Sequence, residues 1–204
     1  FRCVYVSSES LKDSMPIRKY VREIYAQCIA AHLGYAPHIL DHWLCDDTGG
    51  NHCAIGYIVM EYLDPNTRLS AILSGMVDTR RRKLTSAGTP SKIAPLIKSA
   101  TEELQKKYES VITGALKDLA LRGDLLHADV SNHVYLTTTE EGGIAVKFID
   151  YGEVFIQKDY DEQDWDDMFI DFTIDTQVGP IWKLLSAAEL SNTIGINKRP
   201  RDDF

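Results

Sequence analysis

The sequence predicts an α+β fold, on three observations. Its first 64 residues read as strand, helix, strand, strand. A strong amphipathic helix follows from Thr101 and stops at Gly123. After it, two short apolar runs, Val134–Leu136 and Val146–Ile149, flank a turn rich in Thr, Glu and Gly, as a β-hairpin does.

Each element has its own justification. Phe1 to Ser7 alternates and is rich in Val and aromatic residues, which predicts a strand. Ser14-Met15-Pro16 reads as a helix start with Pro in the first turn. Val21, Ile24, Tyr25, Cys28 and Ile29 recur at helical spacing as far as Leu33, and Gly34 is a natural terminator. Ala36–Leu44 and Ala54–Tyr62 predict two strands around a Cys-Asp-Asp-Thr-Gly-Gly turn. Pro65 to Pro95 is polar and broken by Gly75, Gly88, Pro90 and Pro95, so only short helices are expected there. From Thr101 the stripe is Leu104, Tyr108, Val111, Ile112, Ala115, Leu116 and Leu119, with Glu102 and Glu103 where the helix dipole favours them. Further helices are expected over Asp164–Phe172 and Pro180–Leu190, before a polar tail.

Composition bounds the function. A chain of 204 residues supports one sizeable core or two small lobes sharing a cleft. With 44% hydrophobic and 25% charged residues it is an ordinary globular sequence, with neither a membrane-length apolar run nor a visible signal peptide, which predicts a cytoplasmic setting. A chain starting at Phe1 rather than Met is expected to be a fragment. A net charge of −8 argues against a nucleic-acid partner, and the basic run Arg80–Lys83 reads as a solvated loop or helix start. Four irregularly spaced cysteines (Cys3, Cys28, Cys45, Cys53) suggest reduced thiols, with Cys28 in the core. His38, His42, Cys45, His52 and Cys53 fall in a short span, but strand alternation splits them over two faces, so no zinc site is expected.

The chemistry concentrates in two stretches, His127-Ala128-Asp129 and Asp150-Tyr151-Gly152. A loop and a hairpin bring the two carboxylates towards one spot, where Asp129 can accept a proton from a hydroxyl and Asp150 can hold Mg²⁺ on a nucleotide. These stretches resemble the catalytic loop and the metal-binding Asp-Phe-Gly of the protein-kinase-like superfamily. Ile58-Val59-Met60-Glu61-Tyr62-Leu63-Asp64 is similar to the family's hinge, although an edge strand ending in a polar turn fits the same residues.

The resemblance implies a two-lobe fold: a truncated small lobe over residues 1–64 and a minimal, mostly helical large lobe over 65–204. It implies ATP and Mg²⁺ as cofactors and phosphoryl transfer to a hydroxyl, by an atypical protein kinase or a small-molecule kinase. In that reading Asp129 is the catalytic base, and His127 holds its loop. Met60 lines the nucleotide pocket, Glu61 and Leu63 offer backbone bonds to adenine, and Asp150 binds the metal. The family's Asn, five positions after the catalytic Asp, is replaced by Val134, so the second metal ligand falls to Asn132, with His133 as the alternative. Glu23 is either the helix carboxylate that pairs with a strand lysine or a solvated residue beside Lys19 and Arg22. Neither a strand lysine nor a glycine-rich loop is visible, which keeps a pseudokinase, acting as a nucleotide-sensing or protein-interaction module, as the alternative. The segment after Gly152 is short and rich in carboxylates: Asp159, Asp161, Glu162, Asp164, Asp166, Asp167 and Asp171. These form either a solvated face or a platform for a cationic small molecule or a basic protein.

Overall fold

The computed structural model describes residues 2–7, 15–46, 53–83, 90–130, 133–170 and 178–194. It is a mixed α+β structure. Strand β1 (Arg2–Ser7) pairs in parallel with a two-residue β2 (Met15–Pro16) and antiparallel with β4 (Cys53–Met60). On its other side β4 pairs antiparallel with β3 (Ile39–Asp46), giving the order β2-β1-β4-β3. Pro16 therefore belongs to this short pairing, and helix α1 (Ile17–His32) begins just after it rather than around it.

The buried face of α1 only partly follows its apolar periodicity, since Ile24 and Ile29 pack against core residues but other members of the stripe do not. Tyr20, Glu23, Ala26, Gln27, Ala30 and Ala31 are buried, whereas Val21 and Tyr25 are 57% and 43% exposed and Cys28 is exposed too. The expected core role of Cys28 is thus overturned. The reason lies in what each end of the helix meets. Near the start, Tyr20 packs with Ile58 of β4 and donates its hydroxyl to the Tyr57 carbonyl at 2.9 Å. Near the end, alanines let the helix approach the main core closely.

Besides those alanines, that core is built by three further helices and the small strands. Helix α2 (Leu69–Lys83) contributes Leu69, Leu73 and Val77, and α5 (Val178–Ile194) contributes Ile181, Trp182 and Leu185. Helix α3 (Pro90–Gly123) supplies Leu104, Ile112, Leu116 and Leu119, the stripe the spacing predicts. Two expectations fail here. Helix α3 starts at Pro90 rather than Thr101, and Pro95 lies inside it, because the early residues Ile93 and Ile97 join the core and outweigh the lost hydrogen bond. The run Arg80–Lys83 forms the last turn of α2, where the dipole favours cations, and Arg80 reaches Glu103 and Ser99 of α3. At the far end of α3, a Cβ on Gly123 would sit 3.0 Å from Leu33 Cδ1 and 3.3 Å from Ile29 Cγ2, so α1 and α3 meet where only glycine fits without adjustment.

After α3 come two two-stranded sheets. Strand β5 (Leu125–His127) pairs antiparallel with β8 (Val154–Ile156), and β6 (Val134–Thr138) pairs antiparallel with β7 (Ile144–Phe148). Helix α4 (Glu162–Ile170) follows. Among the described residues, no helix is long and apolar enough to cross a membrane.

Candidate functional site

The site grows out of the β5–β8 and β6–β7 pairs. Strand β5 ends at His127, whose ring is buried and packs 4.8 Å from the Tyr151 ring and 6.1 Å from Phe148. Its Nε2 donates to the Ile149 carbonyl at 3.1 Å, which leaves Nδ1 to accept from the Asp129 N–H at 3.3 Å. Burial holds this imidazole down to about 4, against the opposing pull of the Ile149 carbonyl, so the ring is neutral. His127 thus links the backbone before Asp150 to the backbone of Asp129 without touching the cleft itself.

Asp150 follows β7 with φ of 65°, a left-handed conformation that a non-glycine residue adopts at a cost. The chain on either side is pinned. Phe148 N–H donates to the Tyr35 carbonyl at 2.8 Å, and Ile149 N–H donates to the His133 carbonyl at 3.2 Å. The next side chain, Tyr151, is fully enclosed and turns its hydroxyl to the Tyr35 carbonyl at 3.3 Å.

Between the two carboxylates stands His133. Its Nε2 is 3.6 Å from Asp129 Oδ2 and 4.0 Å from Asp150 Oδ2, so the carboxylates share one neighbourhood around a single imidazole. Asn132 lies outside the described residues. Val134, the next residue, is buried in β6.

A cleft of about 480 Å³ is lined by Asp150 and His133 together with Met60, Glu61, Tyr62 and Leu63, and by Arg68, Tyr135 and Ile149. The sequence-predicted residues Met60, Glu61, Leu63 and Asp150 therefore line one cavity. Met60 is backed by Gln27, whose Nε2 lies 3.6 Å from its sulfur and 3.2 Å from the Pro37 carbonyl. Glu61 N–H is spent on the His38 carbonyl at 2.9 Å, and its carboxylate accepts the His38 N–H at 3.1 Å. That hydrogen bond, helped by Lys147 at 3.7 Å, holds the Glu61 carboxyl below its usual range despite some desolvation. The Glu61 carbonyl and the Leu63 N–H have no hydrogen-bond partner among the described residues.

Glu23 does not line this cleft. It is buried on α1, so the solvated reading is overturned, and the sequence neighbours Lys19 and Arg22 pair with Glu153 and Asp159. Of the acidic run, Asp159 is thus engaged by α1, and Asp161 accepts the Asp164 N–H at 2.8 Å as the cap of α4. Glu162 and Asp164 sit in the first turn of that helix. Capping and the helix dipole give these carboxylates a local reason that propensity alone does not supply. Asp171 lies outside the described residues.

Sequence reasoning missed Gln27, Arg68, Tyr135, Ile149 and Lys147. Tyr135 and Ile149 carry a strand signal, but nothing local marks Arg68, which comes near Tyr135 through an isolated bridge between distant segments.

By shape the chain is similar to WaaP, solved in complex with acyl carrier protein, at 13% identity and a TM-score of 0.43, over 87% of this chain and 69% of that one. No family model matches, and no curated protein matches. What the cleft does follows from its own residues.

Proposed function

We propose that this chain is an ATP- and Mg²⁺-dependent phosphotransferase of the protein-kinase-like type, with residues 1–64 as a small lobe and 65–204 as a large one. The observation that supports it most is one cleft lined by Asp150 and His133 together with Met60, Glu61 and Leu63, with Asp129 beside His133. The residues fit the cofactors. Mg²⁺ bound with a nucleotide needs only one or two carboxylates besides phosphates and water, and Asp150 opens onto the cavity. An adenine ring offers a donor and an acceptor edge, complementary to the carbonyl of Glu61 and the N–H of Leu63. When bound, the cation supplies charge stabilisation to the phosphates.

In this reading Asp129 takes the proton of the acceptor hydroxyl as its oxygen attacks the terminal phosphorus, while the bond to the β-phosphate oxygen breaks. His127 positions Asp129 by accepting its N–H, and Met60 lines the base pocket. Glu23 acts from behind, on a helix that is bound to the segment after Gly152 through its neighbours Lys19 and Arg22. The acceptor is a compact cationic hydroxyl compound or a basic peptide, drawn by Glu162, Asp164 and Asp166, all exposed.

The test is ATP turnover by wild type, Asp129→Asn and Asp150→Asn, with water, a polyamine alcohol and a basic serine peptide as acceptors. Each variant is expected to lose at least about 10²-fold in kcat while unfolding as wild type does. Equal turnover in all three proteins sinks the assignment.

A second reading is favoured by Val134, which is buried where the resemblance places a metal-binding Asn. It is a nucleotide-sensing or protein-interaction module without turnover. Calorimetric ATP binding with no transfer to any acceptor selects it.

A further inference from the structure

We propose that helix α1 docks this chain onto an anionic lipid surface, with an apolar ridge entering the bilayer interface and a cation-lined hollow beside it taking lipid phosphate. Nothing in this depends on the nucleotide reading. Ile17, Val21 and Tyr25 follow one another at four-residue steps along α1, and they are 46%, 57% and 43% exposed. Exposed apolar residues scattered singly need no explanation, but three in helical register form a continuous ridge about 12 Å long. The exposed Cys28 lies on the same side, one turn further on.

The charge along this ridge is positive. The only carboxylate of α1 is Glu23, and it is buried. Arg18 and Arg22 each stand one position after a ridge residue and so border it. The Lys158 ammonium sits 4.2 Å from the centre of the Tyr25 ring. Arg18, Lys19 and Arg22 also line a hollow of about 530 Å³, closed by the segment from Gly152 to Phe155 and by Asp159 and Tyr160. Glu153 pairs with Lys19 and Asp159 with Arg22, which leaves Arg18 and Lys158 without an ion-pair partner among the described residues. In a chain of net charge −8, this is a local reversal of sign.

Shape and charge together select the occupant. A ridge on a single helix offers no apolar groove to a peptide helix. A lipid interface accepts such a ridge, with cations on its border and an aromatic ring at its end. A second copy packed on the same ridge would set Arg18 and Arg22 against their own equivalents. The attachment is peripheral, since no helix among the described residues is long and apolar enough to cross a membrane.

Co-sedimentation of the whole chain with vesicles tests this without any nucleotide, so its outcome stands whichever way the phosphotransfer assay falls. Wild type is expected to bind vesicles of equal parts phosphatidylcholine and phosphatidylglycerol at least about tenfold more tightly than phosphatidylcholine alone, and to be released by about 0.5 M NaCl. Arg18→Glu with Lys158→Glu, and separately Ile17→Ser with Val21→Ser, are each expected to weaken binding by about tenfold or more. All four side chains are exposed, so these changes leave the core intact. Lys106→Glu with Lys107→Glu alters the net charge equally, on the exposed side of α3, and is expected to cost no more than about twofold. No binding to either vesicle, equal binding to both, full binding by the Ile17 and Val21 variant, or equal loss in the two charge-reversed proteins overturns the inference. So does a dimer in sedimentation velocity that Ile17→Ser with Val21→Ser abolishes, because a second copy then covers the ridge. The wild-type comparison between the two vesicles decides even where a variant misfolds.

Discussion

At the scale of single residues, conformation and charge at the site are set by burial. His127 binds a proton near 6.5 when unfolded, but only near 4 when folded, because its ring is desolvated. Between those values the unfolded state holds the extra proton. Stability is therefore full above pH 6.5 and falls as the pH drops towards 4, by about 3 kcal/mol in all. Denaturant unfolding at pH 7, 5.5 and 4.5 is expected to show this slope, and His127→Gln to flatten it even if that variant starts less stable. Asp150 makes a second prediction. Its φ of 65° is tolerated by Asp and Asn and costly for Ala. Asp150→Asn is expected to unfold within about 0.5 kcal/mol of wild type, and Asp150→Ala to lose about 1 kcal/mol more. An Ala variant as stable as the Asn variant would mean that the left-handed turn costs nothing there.

Secondary-structure elements show how one segment answers two demands. Asp161 belongs to the acidic run after Gly152, yet its carboxylate caps α4. Asp161→Ser keeps a capping oxygen and is expected to leave the melting temperature almost unchanged, whereas Asp161→Ala is expected to cost about 1 kcal/mol. Equal losses in the two variants would point to charge rather than the cap. The loop after α1 joins elements in the same way. The Tyr35 carbonyl accepts from Phe148 of β7, the Tyr35 hydroxyl donates to Asp118 of α3 at 2.9 Å, and Lys147 of β7 donates to the Ala36 carbonyl at 3.2 Å. These bonds fix where Asp150 stands relative to the end of β4.

Across the whole molecule, Glu61 and Lys147 tie the end of β4 to β7. The Glu61 carboxyl is held low in the folded state, so its contribution is present above the ordinary carboxylate range and is lost as the pH falls through its depressed value. Glu61→Gln is expected to flatten the acid limb of stability below that of His127. The proposed nucleotide binding is tested at this scale too. With Mg²⁺-ATP at a hundred times its Kd, the native state is expected to gain about 2.7 kcal/mol, or about 5–10 °C in Tm for a chain of this size. No shift at millimolar nucleotide would leave the cleft without its proposed ligand.

The sequence by itself determined the elements whose pattern is local. The stripe from Leu104 to Leu119 repeats at the helical period, and the hairpin around Gly142 and Gly143 is marked by its turn. The two carboxylates could be named because each sits at a break in such a pattern. Tertiary structure alone decided which face of α1 is buried, where Glu23 and Gln27 go inside and Val21, Tyr25 and Cys28 stay out. It alone extended α3 back through Pro95 and paired β5 with β8 across the site. It alone set His133 between Asp129 and Asp150. Periodicity tells a helix that it has an apolar side, but the element packed against it decides which side is covered. A contact between residues of distant segments leaves no trace in either segment.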